Sequence, residues 1–353
     1  MKKKLFVFIT ILILIFINTS CRRQEEIISD RAFALDTLVE IKLYQYEGGR
    51  LDDSIIAGAF GLISSLEDTL SVHVEGSDTY YLKENAGIAP TQVSEITYKV
   101  IQDSLKYSEL TGGLFDVTTG PLIDLWAIDP PYGHVPTQQE LDAVLPLIDY
   151  RDIEFLQDST IELKKEGMIV NLGAIAKGTI ADEVKDYLID RGVKNAMINL
   201  GGNILLVGSK LGGNDFSIGI QDPNDDRGRY LLIVHINDEA LVSSGDYERY
   251  FEQDGKIYHH ILNPETGYPA DTNIKQVTIV APESEMADGL STSVLLLGLK
   301  DGIALVESLE GVEAIFITKD NRIYVTDGLD GRYEITDGLA ESYYLVDDPQ
   351  DLY

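Results

Sequence analysis

Two adjacent histidines, an acid and a hydroxyl mark the stretch His259–Thr292, which reads HHILNPETGYPADTNIKQVTIVAPESEMADGLST. Asp288 and Thr292 stand four residues apart, so a helix would set them one above the other on a single face. A carboxylate and a hydroxyl, completed by backbone or water oxygens, suit Mg²⁺ better than zinc, which prefers nitrogen and sulfur. The competing reading makes Asp288 a helix-capping acid and Thr292 a hydroxyl bonded to its own helix. His259 and His260 alternate along an expected strand, so only one can face a given side. Periodicity does not choose between them, and no third partner at zinc spacing accompanies them. Asn263-Pro264, Gly267 and Pro269 then fix a compact loop of the kind where binding residues sit. Together these features suggest a site for a hard cation and a negatively charged ligand.

A second segment suits an anion. In NLGAIAKGT (Asn171–Thr179) an apolar strand expected over Met168–Leu172 runs through small residues into a helix. The free N–H groups at such a helix start can receive an anion. Lys177 adds a point charge, and Gly173, Ala174 and Ala176 let the backbone approach a ligand or lend it a carbonyl. The order Lys177-Gly178-Thr179 with a short glycine lead is not a nucleotide phosphate loop. Ser108–Ile128, with Phe115, Asp116 and the only tryptophan, Trp126, reads as a loop covering a flat aromatic ligand or as a hydrophobic corner. In VSSGDYERYF (Val242–Phe251) the Ser244-Gly245-Asp246 portion resembles a turn, and the tyrosines read as sheet residues.

The elements that must hold these groups alternate without a clean βαβαβ succession. A strand is expected over Ala32–Tyr44, helices over Asp52–Leu70, Ser94–Ser108 and Gln139–Leu145, and a hairpin over Arg151–Leu163. A helix over Thr179–Asp190 is followed by strands Ala196–Leu200 and Ile204–Val207 around Gly201-Gly202. Further strands are expected at Phe216–Ile220, Tyr230–Ile236, Tyr247–Gln253, Lys256–Leu262 and Ile274–Val280, with Asp254-Gly255 as a hairpin turn. A helix over Met286–Leu297 and a hairpin of Ala314–Thr318 with Arg322–Thr326 close the pattern. The fold class is α+β, a single mixed domain over 31–330, with 331–353 an acidic, turn-rich extension.

The first residues carry a different instruction. Lys2, Lys3 and Lys4 precede the apolar run Leu5–Ile17, and the only cysteine of the chain, Cys21, follows Asn18-Thr19-Ser20. That run is short for a membrane span and has the flanks of an export signal. Residues 1–20 are therefore expected to be a signal peptide, with Cys21 the acylated residue and 21–30 a lipidated tether. The expected location is a cell membrane, facing the periplasm or the exterior, with more than one acyl chain giving a firm hold. Lone Cys21 allows no intramolecular disulfide. The net charge is −31, and loss of the signal would remove three lysines and no acid. So negative a chain argues against nucleic-acid binding and against electrostatic adhesion to anionic lipid. It would also repel an anionic ligand unless a cation or helix termini offset the field locally.

Six blocks in order make the chain resemble the ApbE family of flavin transferases, commonly exported lipoproteins. They are GGLFDVTTGPLIDLW, VNLGAIAKGTIADEV, NLGGNILLVG, SSGDYERYF, HHILNPETGYPA and ADGLST, covering about residues 112–292. The resemblance implies a domain with T-fold-like elements that moves the FMN portion of FAD onto a threonine or serine of a partner flavoprotein, releasing AMP. It implies Mg²⁺ held by the backbone oxygen of Ala174 and the side chains of Asp288 and Thr292. It implies FAD contacts from Leu35, Asp116, Ala174, Lys177, Asp182, Gly202, Ser244, Gly245, His260 and Ile261. His260 rather than His259 becomes the active-site histidine, with Asp288 beside it in catalysis. Three blocks depart from the family. Leu35 and Asp36 in FALDT replace a Met and a Gly, Asn263 replaces a frequent Asp, and Trp126-Ala127-Ile128 stands for Trp-Gly-Phe. An acid at Asp36 keeps an FAD pyrophosphatase open as a rival, and a non-catalytic flavin-binding lipoprotein is a third reading.

Overall fold

Alternate residues along the central strands belong to two different cores, and this organises the molecule. Leu205, Val242, Ile279 and Phe316 face one hydrophobic cluster, while their neighbours Leu206, Leu241, Val280 and Ile315 face another. A strand buried on both faces loses its polar alternation and reads as a continuous apolar run. The computed structural model describes residues 27–46, 52–128, 132–210, 212–225, 228–336 and 342–352. The expected signal peptide and Cys21 lie outside these described residues.

Nine strands form the central sheet, in the spatial order Ile28–Ala34, Thr37–Tyr46, Val193–Leu200, Asn203–Val207, Ala240–Gly245, Ile274–Ala281, Glu313–Thr318, Arg322–Val325 and Tyr344–Val346. Neighbours pair antiparallel except the last two, which are parallel. The helices are α1 (Asp53–Leu70), α2 (Asp78–Glu84), α3 (Glu95–Leu110), α4 (Gly120–Trp126), α5 (Gln138–Val144), α6 (Ala176–Asp190) and α7 (Ser284–Glu307), and α4 and α5 pack in a separate small cluster around Trp126. Of these, α1, α3, α6 and α7 supply the larger core on one face of the sheet. The other face is covered by an antiparallel sheet of Tyr333–Ile335, Tyr230–Ile236 and Phe216–Gln221. The protein is a single mixed α/β domain, as the α+β pattern leads one to expect. Its helix α7 is apolar enough to cross a membrane by length and composition, yet it is the buried spine of the core.

Several sequence expectations change. Ala32–Tyr44 is not one strand but part of a hairpin that turns at Leu35-Asp36, where both residues have positive φ, 54° and 56°. Its first strand starts at Ile28, so residues 28–30 belong to the sheet rather than to a tether. Met168–Leu172 is buried but makes only an isolated bridge, Ile169 to Thr119. The strand before the histidine loop ends at His259, so His260 and Ile261 lie beyond it. Helix α7 starts at Ser284 and continues past a break at Gly298, whose φ of 79° is non-helical. The tail is not a mere appendage, because Tyr333–Ile335 and Tyr344–Val346 each join a sheet.

Two of the family departures acquire a physical reason. Asp36 stands where a glycine is usual and has φ 56°, and Ala127 stands in the other usual glycine position at φ 42°, closing α4 in the left-handed region. A residue with a Cβ is strained there, whereas glycine is not. Asp36→Gly and Ala127→Gly are each expected to raise stability by about 0.5–1 kcal/mol. Thermal melts of the two single variants check this, and a lowered Tm in both would show that the strain is relieved in some other way.

Candidate active site

The site forms where the first turns of α6 and α7 meet. Gly178 has no side chain, and a Cβ there would lie 2.4 Å from the Ser284 carbonyl oxygen and 2.6 Å from Glu285 Cα. That contact lets the Gly178 N–H donate to Asp288 Oδ2 at 2.8 Å, joining the GAIAKG and ADGLST blocks across 110 residues. Asp288 is 5 % exposed, and burial raises its pKa to about 6 against the opposing pull of Lys177 and the Gly178 N–H. Thr292 follows one turn later on the same face of α7, half-buried.

Asp182 links the two helix starts. Its Oδ1 accepts from Ser284 N at 2.9 Å and its Oδ2 from Glu285 N at 2.8 Å. The residue at the usual capping position, Glu283, makes no side-chain cap bond. Asp182 on α6 therefore caps α7 from outside, satisfying two N–H groups that a helix start leaves open. Burial raises its pKa to about 6 as well, with the two backbone bonds opposing. Thr179 Oγ1 adds a 2.9 Å bond to Glu285 Oε2, so with the Gly178–Asp288 bond four ties join the two helix starts.

Strands bring the remaining blocks alongside. Ser244 Oγ lies 2.8 Å from Ser291 Oγ, which donates to the Asp288 carbonyl at 2.9 Å. Gly245 ends the same strand, where a Cβ would strike the Tyr247 ring. The Gly201-Gly202 turn lies against Thr37, so the altered FALDT hairpin overhangs the NLGG block. Leu35 is held there by its N–H, which donates to Glu67 Oε1 at 3.0 Å. Gly202 has open space above it and φ 99°, and its N–H donates to Asn199 Oδ1.

The two histidines separate cleanly. His259 is buried, with Nε2 2.9 Å from the Ala270 carbonyl and Nδ1 accepting from Ile261 N at 3.3 Å. Both ring nitrogens serve the loop, and burial lowers its pKa. His260 is half-buried and bonds the Arg249 carbonyl through Nδ1 at 3.2 Å. Burial pushes its pKa down to about 4, and Arg249 and His259 add to the shift. At neutral pH its ring is uncharged, and the bond to a carbonyl leaves the proton on Nδ1 and a lone pair on Nε2. Ile261 is buried in the larger core and its carbonyl accepts from Ala270 N.

Other expected residues prove architectural. Asp116 Oδ1 accepts from the N–H and hydroxyl of Thr118, and Oδ2 from Tyr150 N, so its carboxylate is occupied by protein donors. Trp126 is fully buried beside Phe251, Tyr258 and Tyr268, with Nε1 donating to the Gly267 carbonyl at 2.8 Å. The region around Trp126 is a hydrophobic corner. Asn263 Oδ1 accepts from Glu265 N and Thr266 N, a turn that an uncharged amide serves as well as an acid.

The donor set fits a hard divalent cation. Asp288 and Thr292 offer oxygen only, and among the described residues no three His, Cys, Asp or Glu gather into an all-protein cage. A Mg²⁺ ion takes one or two protein carboxylates and completes its shell with substrate phosphates and water. The Lys177 charge acts on both Asp288 and His260.

Paired helix starts with oxygen donors, beside a lysine and a neutral histidine, have the chemistry of a phosphate-binding site. The chain belongs to the ApbE family, whose profile matches residues 35–316. A Klebsiella pneumoniae protein named FAD:protein FMN transferase is 36% identical over 307 residues, covering 86% of this chain and 93% of its own length. A Treponema pallidum protein of the same name is 33% identical over 312 residues, covering 84% and 86%. Among solved structures, the Thermotoga maritima ApbE protein superposes with a TM-score of 0.80 at 28% identity, covering 87% of this chain and 99% of that one. The flavin transferase ApbE from Vibrio cholerae does so with a TM-score of 0.78, also at 28% identity and with the same coverage.

Proposed function

We propose that this protein is an Mg²⁺-dependent FAD:protein FMN transferase. In this reading it moves FMN from FAD to a threonine or serine hydroxyl of a partner flavoprotein. It works at the outer face of a cell membrane, held by lipid on Cys21. The observation that carries the reading is the Gly178–Asp288 bond, which joins the two family blocks that resemblance assigns to the metal.

The acceptor oxygen attacks the FMN phosphorus, the bond from that phosphorus to the bridging oxygen breaks, and AMP leaves with that oxygen. A phosphoester forms, and the hydroxyl proton passes to solvent water. Bound Mg²⁺ would supply neutralisation of the charge that builds on the diphosphate. Asp288, Thr292 and the Ala174 carbonyl would hold it. Lys177 offers the diphosphate a fixed positive charge. His260 presents Nε2 as a neutral acceptor, which orients the attacking hydroxyl; a base of pKa about 4 is too weak to hold its proton at pH 7. Water in the acceptor's place gives FMN and AMP instead.

The test is incubation of residues 22–353 with FAD and Mg²⁺, with and without a threonine-bearing acceptor domain. AMP together with an FMN mass increment on the acceptor supports transfer. AMP with only free FMN points to hydrolysis, and unchanged FAD excludes both.

The raised pKa of Asp288 gives a pH prediction. Protons compete with the cation for this carboxylate, so metal affinity falls as pH drops through about 6. From pH 7 to 5 the apparent Mg²⁺ affinity is expected to weaken about tenfold. Asp182 is raised likewise, so in the metal-free protein both acids contribute stability below the ordinary carboxylate range that is lost as pH rises through about 6. His260, depressed, has the opposite sign and loses stability as pH falls towards 4. Calorimetric Mg²⁺ titrations at several pH values decide the matter, and a flat affinity from pH 5 to 7 would exclude Asp288 as a ligand.

A further inference from the structure

Asn203 opens the strand that follows the Gly201-Gly202 turn, and its side chain is 2% exposed. Oδ1 accepts a 2.6 Å bond from Ser284 Oγ at the start of α7. Nδ2 has no hydrogen-bond partner on the protein, the only such buried side-chain nitrogen or oxygen among the described residues. A buried donor without an acceptor is unfavourable and rare enough to call for a reason.

The direction of the amide follows from helix geometry. Ser284 and Asp288 are four residues apart on α7, so they share a face one turn apart. An amide anchored by its oxygen on Ser284 extends its nitrogen towards the next turn, where the Asp288 carboxylate lies. Turning the amide over would let Nδ2 donate to Ser284 Oγ but would aim Oδ1 at a carboxylate, which repels it. The contact falls outside good hydrogen-bond geometry. Asn203 nonetheless opposes, along with Lys177 and Gly178, the burial that raises Asp288.

We propose that Asn203 is a positioning residue for Asp288: anchored by Ser284, it presents Nδ2 to the carboxylate and fixes the plane in which that carboxylate meets a divalent cation. The inference rests on the metal role proposed for Asp288 above. It gives the NLGGN block a second task, since the residue after the glycine turn orients a metal ligand alongside Gly178. Partners of this kind, one bond removed from the metal, orient the ligand and tune its affinity.

The experiment titrates Mn²⁺ into the full chain with ADP present as an unreactive diphosphate, following free Mn²⁺ by electron paramagnetic resonance. Asn203→Ala is expected to weaken Mn²⁺ binding by roughly 10–100-fold, the range for lost outer-shell partners of metal ligands. Ser284→Ala keeps the Ser284 backbone N–H on Asp182 but frees the amide, and weakens binding by about three- to tenfold, the factor of one hydrogen bond. In an Asn203→Ala background the Ser284 change adds nothing further. Mn²⁺ affinity within twofold of the parent in Asn203→Ala overturns the proposal, whatever happens to Tm. If Asn203→Ala does not fold, Ser284→Ala decides alone, and unchanged affinity there overturns it too. A parent that binds no Mn²⁺ is a different result: the metal role of Asp288 itself then fails, and the positioning role with it.

Discussion

Asp288→Asn is expected to abolish Mg²⁺-dependent turnover while leaving the protein as stable as before or slightly more so. Asparagine has the same shape, and its carbonyl oxygen can still accept from the Gly178 N–H, which now reaches Asp288 Oδ2 at 2.8 Å. What disappears is a charge in a 5% exposed position whose burial raises the pKa to about 6. Removing a poorly solvated charge is neutral or stabilising, here by about 1 kcal/mol. The cation, however, loses its only carboxylate in the proposed set, and AMP release is expected to fall by roughly a thousandfold or more. Melting curves without metal, paired with AMP release at saturating Mg²⁺, check both halves. A fall in Tm that matches the loss of activity would make Asp288 a structural acid.

Gly178→Ala is expected to damage stability and activity together. The new Cβ would meet backbone atoms of Ser284 and Glu285 at 2.4–2.7 Å, and backbone cannot swing aside as a side-chain tip can. Overpacking of this kind costs about 1–3 kcal/mol. The helix starts must then separate, which lengthens the Gly178–Asp288 bond and the two Asp182 bonds at once. Gly61→Ala on α1 is the matched control, because nothing lies within 4 Å of a Cβ there. Helix propensity alone predicts a gain of up to about 1 kcal/mol at that position. Differential scanning calorimetry on both variants suffices, and an unchanged Tm for Gly178→Ala would mean the helices have slack.

The sequence carried those parts of the fold that rest on local rules. Helical period located α1, α3 and α6, and the Asp254-Gly255 turn marks its hairpin through two successive positive φ values. Met286–Leu297 was legible as a helix up to the residue before Gly298, where the chain breaks helical geometry and then resumes. What escaped depends on distant partners. The Leu35-Asp36 turn lacks a glycine and is held in part by Glu67, 32 residues away, so no turn residue announced it. Helix α4 is seven residues containing Gly120 and Pro121, and its period is too short to detect. Asp182 was visible as an acid of the GAIAKG block, but its capping partners stand 102 and 103 residues further on. Asn203 gave no sign at all, since an asparagine after two glycines is an ordinary turn residue until Ser284 is placed against it.

The trans-capped helix start also bears on how the site comes into being. The bonds Gly178–Asp288, Asp182–Ser284, Asp182–Glu285 and Thr179–Glu285 each span 102 to 110 residues. Closing loops of that length precedes any reward from the contacts, which slows their formation relative to local helices and hairpins. Between α6 and α7 the chain must first lay down four strands of the central sheet. The folding chain therefore gains its helices early and the junction of α6 with α7 late. Competence to handle a diphosphate is a property of the finished molecule, and a partly folded copy has none to misdirect.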